Sequence, residues 1–305
     1  MLMDADLHEY TDGPILIPKV PHKITETKYP VTIGHEFAGT VDEVGEGVTN
    51  VSPGQRVVVR PTIFDGNCTS CKMGYDYCCD NIGFIGLSGI FLNMFPLLFG
   101  KTRANETGYG GGMAKYTTAP SSHIYPIPNN ISLEAAALVE PLSVSWHAVN
   151  ESPFKPGDNV LIMGGGPIGL GIIQVLKLQG ASNIMVSEMA ESRKRFAAQY
   201  GASHILDPHE IDDVAGGVRD FTHGIGADVV FDTAGVEAAL NTAIRACRTH
   251  GTIVNIAVWS RQPAIRVNDL MYHEVRYVGA TLYDEQSFRD VIRALSYGEL
   301  PCSLV

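Results

Sequence analysis

Positive charge is scarce in this chain: 22 lysines and arginines stand against 33 aspartates and glutamates, a formal net charge of −11. A surface of that sign repels phosphate backbones and anionic lipid, which argues against nucleic acid and membrane surfaces as partners. Long apolar runs are missing too. The longest strongly apolar stretch, residues 90–99, is broken by Asn93 and Pro96 and is too short to span a bilayer. The opening residues MLMDADLHEY lack the basic-then-apolar order of a secretory signal, so a cytoplasmic protein is expected. Cysteine is sparse except in one place: four of the six fall between Cys68 and Cys79. In a non-secreted chain that clustering points to metal rather than disulfides. What remains is ordinary for a globular protein, 45% hydrophobic and 18% charged residues over 305 positions, enough for two domains.

The chain changes character near residue 150. Up to there, VTIGHEFAGTVDEVGEG, QRVVVRP and AKYTTAP are short β-rich runs between glycines and prolines. Residues 132–150 have helical spacing, with Ser132 as N-cap and Pro141 as a kink or boundary. Beyond residue 159, strands and helices alternate. Strands are expected at 160–163, 184–187, 204–206, 229–232, 252–257 and 277–282, with helices at 168–179, 191–200 and 237–247. That alternation predicts an α/β fold, a doubly wound parallel sheet with helices on both faces. The expected division is a β-rich domain over 1–152 and a nucleotide-binding domain over 153–305. Residues 88–108 fit neither pattern and read as a surface insertion.

The strand at 160–163 runs into GGGPIG and then a helix. Gly164, Gly166 and Gly169 fill G-x-G-x-x-G, and Pro167 and Ile168 open the helix. The glycines permit a tight turn and close approach of a pyrophosphate to the helix N-terminus. Glu188 ends the next strand nineteen residues after Gly169. Its carboxylate is placed to accept hydrogen bonds from ribose hydroxyls and would repel a 2′-phosphate, which favours NAD over NADP. Arg193 pulls the other way, but it can lie over the adenine or ribose. The cofactor contacts expected here also include Thr233 and Val258.

Two groups of residues have the chemistry of metal ligands. Gly34-His35-Glu36 opens the pattern G-H-E-x2-G-x5-G-x2-V, an imidazole beside a carboxylate on a glycine-rich backbone. Glu140 lies on an otherwise apolar run, LVEPLSVSW, where an acid is costly unless paired or metal-bound, so it is the natural partner of His35 and Glu36. The second group is Cys68-x2-Cys71-x6-Cys78-Cys79. Two thiolates at this spacing share a tetrahedral zinc, and a third comes from Cys78 or Cys79. The fourth position has no cysteine. Asp65 stands three residues before Cys68, so the expected set is Asp65, Cys68, Cys71 and Cys79, with four free thiols as the alternative.

These motifs, GHEFAGTVDEVGEGV, the cysteine loop, VEPLSVSWHAV and GGGPIGLG followed by VSE, resemble the zinc-containing medium-chain alcohol dehydrogenases, closest to the 2,3-butanediol and polyol (sorbitol) branch. The resemblance implies a GroES-like catalytic domain joined to a Rossmann domain, with Zn2+ and NAD in the cleft between them and a homo-oligomer, dimer or tetramer. The edge strand within 276–283 is the candidate for subunit pairing. The implied activity is hydride transfer between NAD and a small secondary alcohol or vicinal diol. A sorbitol- or xylitol-type polyol dehydrogenase is the alternative, and a catalytically impaired NAD-binding fragment is the other. The resemblance makes His35 and Glu140 ligands of the catalytic zinc, Glu36 a second-shell or exchanging ligand, and His8 the distal histidine of a proton relay. It also exposes departures. Met3 stands at the family's cysteine ligand and Ala5 at its relay hydroxyl. A neutral thioether is a poor substitute for thiolate. With the segment at 88–108 and the absence of the family's first β-rich segment and closing return, these departures fit an imperfect gene model with a late start, an unspliced insertion and an early stop.

Overall fold

The computed structural model describes residues 9–11, 13, 16–26, 28–88, 110–259 and 261–301. Met3, Ala5 and His8 lie outside the described residues, as does the expected insertion apart from Ser88. Among the described residues no helix is long and apolar enough to cross a membrane.

The chain forms two compact units. One comprises Met1–Glu140 and Asp284–Ser296, the other Pro141–Tyr283 and Tyr297–Val305. This differs from the division at 152/153 in two respects. The boundary falls inside the helix Val139–Glu151, between Glu140 and Pro141. The segment expected to be missing its return instead supplies Asp284–Ser296 to the first unit. The physical reason is visible in the helix Glu285–Ser296. Its apolar residues Phe288, Val291 and Leu295 lie on one face and are buried. Phe288 packs its ring 5.0 Å from that of Tyr125. On the same helix Glu285 accepts hydrogen bonds from Arg289, whose guanidinium lies 4.8 Å over Tyr125.

The first unit is β-rich but its strands are short. β1 (Ala38–Thr40), β2 (Arg56–Val59) and β5 (Ile124–Pro126) make an antiparallel sheet in the order β1-β2-β5, and β3 (Thr62–Ile63) pairs with β4 (Gly83–Phe84). AKYTTAP forms no strand. Its Thr117 hydroxyl instead donates to the carbonyl of Gly110, tying the segment back on itself. Ser132 caps the helix Leu133–Ala137 as expected, its hydroxyl accepting the Ala135 N–H at 3.0 Å. A second helix, Val139–Glu151, follows directly, and Pro141 sits in its first turn, where a missing N–H costs nothing.

The second unit is a six-stranded parallel sheet in the order β11-β10-β9-β6-β7-β8. The strands are β6 (Asn159–Met163), β7 (Asn183–Ser187), β8 (His204–Leu206), β9 (Ala227–Asp232), β10 (Cys247–Asn255) and β11 (Arg276–Gly279). The central strands read as apolar runs because helices cover both faces: Val160, Leu161 and Ile162 of β6 are fully buried. Each such side chain contributes about 1.5–3 kcal/mol by leaving water. The sheet order reverses at β6 and β9, so the turn after β6 opens at the switch point, where parallel sheets bind ligands.

Phe288→Ala is expected to destabilise the first unit by about 3–5 kcal/mol, since it empties a fully buried aromatic site. Denaturant unfolding followed by the fluorescence of the first unit's tyrosines checks this.

Candidate functional site

The segment carrying Gly34, His35 and Glu36 is not a strand. It is an irregular strap leading into β1, held by close backbone packing. A Cβ at Gly86 would lie 2.2 Å from the carbonyl oxygen of Gly34, and one at Gly111 would lie 2.1 Å from that of Thr32. Gly112 donates its N–H to the Gly34 carbonyl at 2.7 Å, and Met113 donates to that of Ile33 at 3.1 Å. Only glycine permits such approaches. The two stretches flanking residues 89–109 in sequence therefore both pack against the strap.

This packing places His35 and Glu36 beside Glu140 from the start of the helix Val139–Glu151. One donor atom from each of the three lies within 4.8 Å of the others, and all three side chains are buried. The ring of Phe84 packs edge-on against His35, centroids 6.1 Å apart. An imidazole and two carboxylates buried this close form a donor set suited to a divalent cation, which balances like charges that otherwise repel. The three residues paired in sequence reasoning are thus brought together.

The cysteine loop converges equally well. Donor atoms of Asp65, Cys68, Cys71 and Cys79 lie within 4.8 Å of one another. Of the two adjacent cysteines left open by spacing, Cys79 is buried in the cluster and Cys78 is exposed. Cys68 is the N-cap of the short helix Thr69–Lys72, its sulfur accepting the Cys71 N–H at 3.5 Å, and this contact lowers its thiol pKa. Burial pushes the Cys71 thiol up to about 12. The N–H groups of Cys68 and Asn67 and the side chain of Asn81 hold the Asp65 carboxyl well below the usual carboxylate range. Three sulfurs and an ionised oxygen suit a tetrahedral zinc. Arg60 donates to both Asp76 oxygens, at 3.2 and 3.3 Å, and ties the loop to the end of β2.

The Gly-rich turn has the geometry its pattern predicts. Gly164 has φ +99°, and a Cβ at Gly169 would lie 2.1 Å from the Gly164 carbonyl oxygen. Gly166 caps the helix Pro167–Leu178, with open space where its Cβ would be, and Pro167 opens the first turn. A Gly-rich turn that opens a helix is the type of backbone at which phosphates bind. Glu188 is buried at the end of β7. One oxygen accepts the Gly165 N–H at 2.8 Å, and the other accepts those of Met189 and Ala190 at 2.8 Å each. Arg193 lies 3.9 Å from this carboxylate and is half-exposed. The Thr233 hydroxyl donates within the fold, to the carbonyls of Met163 and Gly164, and so braces the turn. Val258 is almost fully exposed.

Two residues escaped sequence reasoning. Asp232 ends β9, is fully buried, and accepts the N–H groups of Ala234 and Gly235, shaping the loop beside the Gly-rich turn. Its position at a strand end was the available signal. Asn81 contacts the cysteine loop from outside the C-x-x-C pattern, and nothing in the spacing marks it.

Comparison with known proteins agrees with this fold. Residues 3–129 match the family model for the alcohol dehydrogenase GroES-like domain, and residues 167–297 match that for zinc-binding dehydrogenases. The chain is 37% identical to the probable diacetyl reductase [(R)-acetoin forming] 2 of Saccharomyces cerevisiae, over 97% of this chain and 71% of that protein. The crystal structure of 2R,3R-butanediol dehydrogenase from Bacillus subtilis superposes with TM-score 0.83 at 36% identity, covering 96% of this chain and 78% of that one. A putative zinc-binding dehydrogenase from Sinorhizobium meliloti, solved bound to NADP, superposes with TM-score 0.78 at 30% identity over 90% of this chain and 75% of that one.

Gly169→Ala is expected to weaken dinucleotide binding about tenfold or more, because the new methyl must displace the Gly164 carbonyl. Titration of the variant with NADH, followed by nicotinamide fluorescence, measures it.

Proposed function

Because this chain belongs to the zinc-binding alcohol dehydrogenase family, an oxidoreductase family, we propose that it transfers hydride between NAD and a small vicinal diol or its α-hydroxyketone. The observation that carries the reading is the buried convergence of His35, Glu36 and Glu140. Relatives named for butanediol and for diacetyl and acetoin support the substrate class. Zinc bound there supplies Lewis acidity toward an alcohol or carbonyl oxygen, and nicotinamide supplies the two-electron acceptor.

The chain's own residues then have distinct tasks. His35 and Glu140 hold the cation, and Glu36 stands beside them as an exchanging or orienting carboxylate. Phe84 fixes the plane of the His35 ring. Glu188 receives the ribose hydroxyls, and its charge disfavours a 2′-phosphate, which supports NAD over NADP. Gly164, Gly166, Pro167, Ile168 and Gly169 form the pyrophosphate turn, with Thr233 bracing it. Arg193 and Val258 flank it as candidate contacts. His8 remains the candidate distal relay. Asp65, Cys68, Cys71 and Cys79 hold a second, structural zinc.

A set of one imidazole and two carboxylates binds zinc less tightly than one containing thiolate. Slow turnover is therefore expected. The purified chain should hold about two zinc ions, one for each donor cluster. It should reduce NAD with 2,3-butanediol faster than with sorbitol, and a chelator should abolish this. Glu140→Ala should lose one zinc and the activity while the cysteine loop keeps its own. Preference for NADP, or zinc content unchanged by Glu140→Ala, overturns the assignment.

β11 is an edge strand whose residues are all exposed, including Tyr277 and Val278. An edge strand exposed among the described residues supports pairing with a second copy of this chain. Light scattering should give a mass of at least two chains, reduced to one by Val278→Pro.

A further inference from the structure

In the cysteine loop one donor is oxygen where the others are sulfur, and Asn81 touches two of the four. Its backbone N–H donates to Cys79 Sγ at 3.3 Å, and its side-chain Nδ2 donates to Asp65 Oδ2 at 2.5 Å. The other oxygen of Asp65, Oδ1, accepts the N–H groups of Asn67 at 2.7 Å and Cys68 at 2.9 Å. Both carboxylate oxygens are therefore fixed by the loop itself. The side-chain N–H that holds Oδ2 comes from Asn81.

Asn81 has no evident need of its own for this position. Its Oδ1 is buried with no hydrogen-bond partner among the described residues. Leaving an amide oxygen so placed is unfavourable. What the placement secures is the orientation of Asp65. Carboxylate oxygen is a weaker partner for zinc than thiolate, so the oxygen arm is the donor whose orientation most needs support. Whatever restrains the carboxylate then governs how long the loop keeps its metal.

We infer that Asn81 is the positioning residue of this metal loop: it aims and holds the Asp65 carboxylate as the oxygen arm of an otherwise thiolate donor set, and so sets the rate of metal release. The inference rests on the structural-zinc reading of Asp65, Cys68, Cys71 and Cys79 given above.

The test follows zinc release from the full chain to a chromogenic chelator, with Cys68→Ser identifying the phase that belongs to the loop. Asn81→Ala should release that zinc about tenfold faster, the lower end of what loss of a ligand-orienting group costs. Asn81→Asp, nearly isosteric and expected to fold, should also release it faster, because the donor to Asp65 is replaced by a second negative charge. A structural role alone would show the same effect in any background, so the decisive comparison is made in Asp65→Cys. There the thiolate needs no aiming by Asn81, and adding Asn81→Ala should change the rate less than about twofold, near-additivity being lost between coupled positions. Equal acceleration in both backgrounds, or none in the parent, overturns the role of Asn81 while leaving the metal site intact. No loop-specific phase, with Cys68→Ser holding as much zinc as the parent, overturns the structural-zinc reading and this inference with it.

Discussion

The first unit is built around a buried cluster of one imidazole and two carboxylates. Glu36 and Glu140 lie beside His35, out of water and within a few ångströms of each other, with the three donor atoms inside 4.8 Å. An imidazole and two carboxylates at that separation are a donor set suited to a divalent cation. Everything nearby serves that arrangement: the strap passing where only glycine fits, Phe84 against the imidazole, and a helix that begins so that Glu140 projects from its first turn.

The cysteine loop solves a similar problem with different chemistry. Burial raises the Cys71 thiol while the Cys71 N–H lowers that of Cys68, and the loop's single carboxylate accepts three hydrogen bonds that favour the ionised form. The parallel sheet solves a third. At the switch point Glu188 accepts the N–H of Gly165 in the Gly-rich turn as well as those of its own turn. That link couples the carboxylate expected to read the ribose to the turn expected to hold the pyrophosphate.

Much of the second unit was legible in advance. β6, β7, β8 and the helix Glu191–Tyr200 fall where apolar runs, turn residues and helical spacing put them, because these signals are local. The helices Val214–Phe221, Val267–Tyr272 and Glu285–Ser296 were not named. The last carries Phe288, Val291 and Leu295 at helical spacing, so its existence could have been read, though not the unit it joins. In the first unit the strands are two to four residues long, too short for period-two alternation to separate them from loop, and AKYTTAP was misread for that reason.

The sequence by itself determined which atoms are available: an imidazole, carboxylates and thiols at ligand spacing, and a Gly-rich turn between strand and helix. These are properties of residue type and short separation, and they were sufficient to name the chemistry. The pairing of Glu140 with His35 and the set Asp65, Cys68, Cys71 and Cys79 were expected from residue type, and tertiary structure decided how their donor atoms come together. Glu140 reaches His35 from over a hundred positions away, Cys79 rather than Cys78 turns into its cluster, and Asn81 comes to hold Asp65. Each of these depends on where a backbone turns and how closely two segments approach, which is set by packing between distant parts of the chain and leaves no mark in local spacing.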